Sequence, residues 1–451
     1  MNFLRGLVGG FVRARWHRRA GHWPDREALE AWQLPRVLRH LQWVAARAPF
    51  YREALGRAPT IDSWRNMPPI EKAQLIEHFE RAVTVPLTRS RAYGVAQASY
   101  RSRDFDQTVN GLTVGLSSGT SGTPGLFVAS AWERGCWAGT ALACALPFPR
   151  RLPLHIALAL RANSRLYESL NVGFVRFTYL DLHAPRTAHV AMLTASPPDI
   201  LVGPPSVLID LVHAGLKIRP QRVVSVAEPL APDVEEQLRA AFCCDVVQLY
   251  QATEGFIAAP CAAGRLHVNE DVLVMHREYI DQSSGRFVPV ITDFTRRSQP
   301  IVRYRLTDVL VARHTSCACR SPLLALERIE GRLDDVWRLA GSEGGEVTVY
   351  PDQVSLAIGS AAGLAFREFV ATCTSPHAAH VLVEWADGVD PAAHATAVSS
   401  AIASVARQRG AAPLRVTVES GRIERSDRKH RRVRNAFGGV SNAGPQADAS
   451  A

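Results

Sequence analysis

The chain has 451 residues, 47% of them hydrophobic and 21% charged. That is long enough for two or three domains with sizeable cores, and the composition is that of a globular, soluble protein. No apolar run approaches the ~20 residues a membrane-spanning helix needs, and the eight cysteines, two of them adjacent (Cys243 and Cys244), do not form a disulfide framework. The formal charge of +10 sits at two ends: residues 1–19 hold five arginines and no acid, and residues 422–434 hold six arginines and Lys429 against Glu424 and Asp427. The balanced remainder excludes a nucleic-acid groove spread over the fold.

The opening MNFLRGLVGGFVRARWHRR lacks the sustained apolar region and cleavage site of a signal peptide, so a cytoplasmic location is expected. Residues 1–24 form a basic segment that reads either as a solvated face or as a docking site for an anionic membrane surface or an acidic carrier protein. Residues 25–57 show helical spacing of Leu, Trp and Val. LSSGTSGTP (116–124) follows an apolar run and precedes LFVAS, with a helix expected over about 131–146. A Walker loop needs a lysine beside its last glycine and a helix directly after it. Gly119, Gly122 and Gly125 have neither, so this is expected to be a hairpin loop. Its backbone N–H groups and hydroxyls suit one anion, such as a triphosphate.

From residue 150 onward, short β-rich runs (HIALAL, FVRFTYL, DILVGPP, RVVSVAE, DVVQLYQ) alternate with helical segments such as PSVLIDLVHAG and APDVEEQLRAAF. That alternation predicts an α/β fold: a large domain over 25–333, with mostly parallel sheets flanked by helices and ligands at the carboxyl ends of the strands. A small, mobile α+β domain is expected over 334–437, with EFVATCTS, HVLVEWAD, a helix at 391–409 and RVTVES. A disordered tail is expected over 438–451.

Three further stretches bear on the loop. YQATEG (250–255) ends a strand with an acid, YRLTDV (304–309) places an Asp in a loop, and GRLDDV (331–336) lies at the change of domain. In this order and spacing they resemble the adenylate-forming (AMP-binding, acyl-CoA synthetase-like) superfamily over about residues 35–435. With APFYREAL, PPIEKAQLIEHF and ERSDRKHRRVRN, the similarity is to the phenylacetate–CoA ligase and coenzyme F390 synthetase-like branch.

The resemblance implies that Ser117, Ser118, Gly119, Thr120, Ser121 and Gly122 hold the β- and γ-phosphates of ATP, with Thr120 helping to place Mg²⁺. Thr123 stands where members of the family often have Lys. Ala227 and Glu228 match the adenine-side turn, usually Gly-Glu. Tyr250 is expected to stack on adenine, Thr253 to bond the α-phosphate, Glu254 to ligate Mg²⁺, Asp308 to accept both ribose hydroxyls and Arg332 to add a ribose contact. Asp334 matches the hinge of the small domain. Lys429, one of only three lysines with Lys72 and Lys217, is expected to enter the site with the small domain and bridge the carboxylate and α-phosphate oxygens. Arg428 replaces the glycine usual before it.

A second constellation comprises Cys261 and His267, followed by Cys317 and Cys319. Three thiolates and an imidazole make a closed set suited to structural zinc, and some members of the branch carry a similar cluster.

The function expected is ATP-dependent activation of a small carboxylic acid, hydroxybenzoate- or phenylacetate-like, to an acyl-adenylate. Transfer follows to the thiol of CoA or of a carrier-protein phosphopantetheine. The runs LVGPPSV, VAEPLAP and FTYLDLH, with Tyr179 and His183 as polar contacts, are the expected acid pocket. The alternatives are adenylylation of a deazaflavin hydroxyl and a non-catalytic nucleotide-binding protein. Nucleic acid is not expected as a partner, and a homodimer is expected from the branch alone.

Overall fold

The computed structural model describes residues 2–102, 104, 106–116, 125–145, 153–160, 165–168, 171, 173–182, 184–363, 365–423, 431–437 and 446–447. The first helix, Asn2–His17, forms despite Gly6, Gly9 and Gly10, each ~1 kcal/mol less favourable than Ala in a helix. Tertiary packing supplies what propensity lacks. Gly6 and Gly10 meet Gly135 and Gly139 of helix Ala131–Ala145 backbone to backbone. A Cβ at Gly10 would lie 2.3 Å from the Cys136 carbonyl oxygen, and one at Gly139 only 2.0 Å from that of Leu7. The basic segment is therefore a docked helix, and part of its charge turns inward. Arg13 donates to Thr140 Oγ1 at 2.8 Å and to Asp271 Oδ2 at 3.2 Å, and Arg18 donates to Asn269 Oδ1 at 2.6 Å.

Helix 131–145 lies on one face of a five-stranded parallel sheet with strand order 175–181, 154–160, 200–203, 222–225, 245–248. Side chains alternate along each strand. Ile200, Val224 and Val247 share a core with Leu7, Ala138 and Leu142. Leu201, Val223 and Val246 pack the other face against Val207, Leu208, Val234 and Leu238 of helices Pro205–His213 and Pro232–Phe242. Both faces are covered, which is why these strands read as continuous apolar runs.

A larger sheet follows in which every described pairing is antiparallel. Its path runs through strands 273–281, 286–293, 308–312, 325–332, 266–268, 255–260 and 250–252, with 301–305 paired to 286–293. Helices Arg26–Arg47, Pro49–Leu55 and Ile61–Asn66 pack on it through Val37, Leu41, Tyr51 and Trp64. Strand 325–332 ends in the short 3₁₀ turn Leu333–Asp335.

Beyond that turn, strands 415–420, 378–385, 366–375 and 433–435 form a mixed sheet. Helices Pro351–Ala362 and Pro391–Gln408 cover it, around Trp337, Ile358, Phe369, Val381 and Ile402. Within the tail expected to be disordered, Gln446 and Ala447 pair with Tyr279 and Glu278.

Candidate active site

The segments that leave the carboxyl ends of strands 200–203, 222–225 and 245–248 line one cleft. Ala227, in the turn after strand 222–225, has φ +69°. A left-handed conformation costs a residue with a Cβ roughly 1–2 kcal/mol, which gives the Gly-Glu pattern at this turn its physical reason. Glu228 Oε2 accepts from the Ser206 amide at 3.3 Å, tying the turn to the start of helix 205–213.

Tyr250 and Asp308 open two strands of the antiparallel sheet, and the Tyr250 hydroxyl donates to Asp308 Oδ2 at 2.6 Å. Burial first, and the Asp308 carboxylate second, push the Tyr250 phenol well above its usual range. Asp308 stands directly opposite Arg332 in the ladder. Glu254 is held at both oxygens: Thr253 Oγ1 donates to Oε2 at 2.8 Å, and the Tyr304 hydroxyl to Oε1 at 2.8 Å. Tyr304 is buried, and desolvation followed by Glu254 keeps it protonated as a donor. The Thr253 carbonyl accepts from Arg296 at 2.7 Å. The amides next in sequence, of Arg297 and Ser298, donate to the buried Glu133 at 2.7 and 2.9 Å.

Lys72, the first residue of helix Lys72–Glu77, faces the same cluster. Its pKa is lowered by burial, and it feels Glu254, Arg332 and Asp334. Sequence reading gave roles to Lys429, Tyr250 and Glu254 but none to Lys72 or Tyr304. The scarcity of lysine was the signal that pointed to Lys72, and Tyr304 opens the YRLTDV stretch already singled out.

The cleft has a volume of about 1420 Å³. Its far wall belongs to the region beyond residue 336: Asp352, Ser355 and Leu356 of helix 351–362, with Arg431 and Arg432. Arg431 Nε donates to Asp335 Oδ2 at 2.8 Å, next to Asp334. Arg328 bridges to Asp352 at 3.0 Å and to Glu330 at 2.7 Å, with Arg286 on the same buried Glu330. Burial, then Asp352, raises Glu330 to about 7. The apolar end is lined by Trp137, Tyr167, Phe177, Leu158 and Val202. Val202, Pro204 and Ala227 come from the runs expected to form the acid pocket. Tyr179 instead turns its hydroxyl to the Leu160 carbonyl at 2.8 Å.

The phosphate-loop residues Ser117, Ser118, Gly119, Thr120, Ser121 and Gly122 lie outside the described residues, as do Lys429 and His183. The strands flanking the loop, 112–116 and 126–129, pair antiparallel with Leu116 opposite Leu126. The loop is thus the connection of a hairpin.

Cys261, His267, Cys317 and Cys319 come together with their ligand atoms all within 4.8 Å of one another. Cys261 Sγ is 3.7 Å from Cys317 Sγ, and Cys319 Sγ is 3.5 Å from His267 Nε2. Zinc–sulfur and zinc–nitrogen bonds of ~2.3 and ~2.0 Å put tetrahedral edges at about 3.8 Å for S···S and about 3.5 Å for S···N. His267 Nδ1 lies 2.9 Å from the Leu323 carbonyl. An N–H there leaves the Nε2 lone pair aimed at the cysteines, the usual arrangement of a metal-ligating histidine.

No protein-family model matches the chain. In three dimensions it is similar to 2-hydroxyisobutyryl-CoA ligase in the postadenylation state in complex with 2-HIB-AMP, with TM-score 0.70 and 18% identity over 94% of this chain and 91% of that one. The fold is that of the adenylate-forming ligases. The amide bond synthetase McbA from Marinactinospora thermotolerans shares it, with TM-score 0.51 and 13% identity over 92% and 96% of the two chains.

In sequence, a phenylacetate-coenzyme A ligase of Thermus thermophilus is 23% identical over 368 residues, covering 74% of this chain and 76% of that protein. The adenylate-forming resemblance and its phenylacetate–CoA ligase branch, both read from the motifs, agree with these relatives. Likeness to the hydroxyisobutyryl enzyme falls to a TM-score of 0.54 for its thioesterification state. Among the described residues, no helix is long and apolar enough to cross a membrane.

Proposed function

We propose that this chain is an acid–thiol ligase that uses ATP to make an acyl-adenylate and then a thioester. The observation that carries the reading is the convergence of Asp308, Tyr250, Glu254 and Lys72 on one end of a cleft whose other end is aromatic and apolar. In the first step a carboxylate oxygen bonds to the α-phosphorus of ATP. The bond from that phosphorus to the bridging oxygen breaks, and pyrophosphate leaves. In the second, a thiolate sulfur bonds to the acyl carbon and AMP departs with the carboxyl oxygen. The first step needs no strong general base, because the carboxylate attacks already ionised; before the second, the thiol gives its proton to solvent. Both need position and positive charge.

Asp308 accepts the ribose hydroxyls, with Arg332 beside it, and Tyr250 packs against adenine. Tyr250 already holds one Asp308 oxygen, so the phenol fixes the carboxylate as well as the base. The loop 117–122 holds the β- and γ-phosphates, with Thr120 near Mg²⁺, and Thr253 reaches the α-phosphate. Glu254, oriented by Thr253 and Tyr304, is the Mg²⁺ ligand; the ion would neutralise charge on the departing pyrophosphate. Lys72 supplies the positive charge that Thr123 does not. Lys429 lies on the segment just before Arg431, which faces the cleft, and bridges the carboxylate and α-phosphate. The region 334–437 moves as a unit about Asp334 between the two steps. The aromatic lining from Trp137, Tyr167 and Phe177 supports a compact aromatic acid. CoA or a carrier-protein phosphopantetheine is the acceptor.

Cys261, His267, Cys317 and Cys319 hold a structural zinc ion. All four ligand positions are filled by protein, so the ion would pin the loop 261–267 to the segment 317–323 without taking part in the reaction. Metal analysis is expected to find one zinc per chain, lost in Cys319→Ser with a fall in melting temperature. A metal-free native protein of equal stability would overturn the assignment.

Acid-dependent exchange of pyrophosphate into ATP tests the main reading. Exchange is expected with one class of acid and not others, and Lys429→Ala is expected to lower it roughly 10²–10³-fold. ATP binding with no exchange for any acid would overturn it, and adenylylation of an added deazaflavin would install the alternative.

A further inference from the structure

The first helix has two unlike long faces. One is fixed by the fold: Gly6, Leu7, Gly10 and Ala14 are buried against helix 131–145. The other carries Leu4, Val8, Val12 and Trp16, which are 60, 60, 57 and 52% exposed. Four of the nine exposed large hydrophobic side chains among the described residues sit on these 16 residues. At about 100° per residue the four lie within an arc of about 120°, and Arg5 and Arg15 fall inside the same arc. Arg5 is exposed, and Arg15 is half-buried with its guanidinium 5.5 Å from the Phe11 ring. Just past the helix end, Arg19 lies over the Trp16 ring at 4.5 Å.

Nothing inside the molecule requires this stripe. Glycine packing and the inward bonds of Arg13 and Arg18 already hold the helix in place. Lys, Arg, Gln or Glu at the four outer positions would raise its helix propensity or leave it unchanged. Exposed apolar rows of this kind mark a contact surface, and the charge selects what is contacted. The helix and the two residues after it hold five arginines and no acid. A second copy meeting this face about a two-fold axis would place arginine against arginine. An anionic lipid surface satisfies both features at once: aliphatic side chains and a tryptophan enter the headgroup boundary, while the arginines extend to the phosphates.

We propose that the outer face of the first helix docks in the plane of an anionic membrane surface. This proposal is independent of the nucleotide-site reading. The helix also carries Arg13, on the cleft wall beside Cys136 and Thr140, so docking would hold that wall within about one helix diameter of the bilayer.

Flotation of the full chain with vesicles of phosphatidylcholine, with and without phosphatidylglycerol, tests it. Binding to the phosphatidylglycerol vesicles is expected to be at least roughly tenfold stronger than to the neutral ones and to weaken with salt. The double variant Val8→Asp with Val12→Asp, and separately Arg5→Glu with Arg15→Glu, are expected to lose it while keeping the native melting temperature, because all four positions lie on the outer face. Equal binding to both vesicle types, no binding, or unchanged binding by the folded variants would overturn the proposal. So would a concentration-dependent dimer, or a complex with an acidic carrier protein, that the Val8→Asp, Val12→Asp variant dissolves in the absence of any vesicle effect.

Discussion

Two runs of the chain carry the same excess charge, and the fold uses them differently. Residues 1–19 and 422–434 are each +5. In the first, Arg13 and Arg18 turn inward to Asp271 and Asn269, and the rest face outward beside an apolar stripe. In the second, Arg431 and Arg432 turn toward the cleft, one onto Asp335 and the other onto Glu368. Charge density identifies neither role. What separates them is the partner reached: Arg431 bonds to Asp335, which lines the cleft, whereas Asp271 and Asn269 lie off its lining and tie the first helix to the body. The largest expected difference is therefore in activity. Lys429→Ala is expected to lower the adenylation rate by roughly 10²–10³-fold without changing the melting temperature, while Arg5→Ala leaves the rate unchanged. Equal losses from both, measured by pyrophosphate exchange, would erase the distinction.

The same contrast explains what was legible in the sequence. The parallel sheet was readable because its strands are short apolar runs separated by amphipathic helices, and HIALAL, RVVS and DVVQ are strands where they were expected. The antiparallel sheet over 250–332 was not, because its strands follow one another through turns with no helical period between them. Of the side chains that the cleft brings together, Asp308 and Glu254 stand out in the sequence through their motifs. Tyr304 and Lys72 were not assigned, since their roles depend on contacts made 50 residues away along the chain, as for Tyr304 with Glu254, or across elements, as for Lys72. The two glycine pairs were in view in the sequence, but only their meeting shows that residues 2–17 are part of the body.

That docking gives the next effect in size. Gly139→Val would drive a side chain into the Leu7 carbonyl, which lies 2.0 Å from the Cβ position. Overpacking of this kind costs about 1–3 kcal/mol. The expected outcome is a lower melting temperature and rapid proteolysis at Arg13 and Arg15, with residues beyond 336 as resistant as before. Arg13→Ala sharpens the comparison within the segment. It leaves the Asp271 carboxylate, whose side chain is fully buried, without its cation, a loss of about 3 kcal/mol by the usual figure for a broken buried pair. Thr140 still accepts nothing in exchange, so the smaller side chain does not compensate. Arg5→Ala, on the outer face, is expected to change stability by less than about 0.5 kcal/mol.

The smallest effect is a dependence on pH at the same end of the molecule. His17 closes the first helix. Its Nδ1 lies 2.8 Å from His22 Nε2, and its ring stacks on Trp23 and touches Trp32. One imidazole donates and the other accepts, so the contact requires an uncharged partner on at least one side. Burial, opposed by Asp271 and assisted by His22, Arg13 and Arg36, lowers His17 from 6.5 to about 4. His22 is lowered too, by burial and Arg19. A base whose pKa is depressed on folding binds its proton more readily in the unfolded chain. Its stabilising contribution is therefore complete above 6.5 and is lost as the pH falls from there toward 4. The protection factors of amides 2–17, which divide out the intrinsic slowing of exchange in acid, are expected to fall as the pH drops from about 7 to 5, by more than those of strand 366–375. His17→Gln, which cannot take up the charge, is expected to flatten that dependence even if it lowers stability at neutral pH. An unchanged acid sensitivity in His17→Gln would place the effect elsewhere and leave the two basic runs alike in their response to acid.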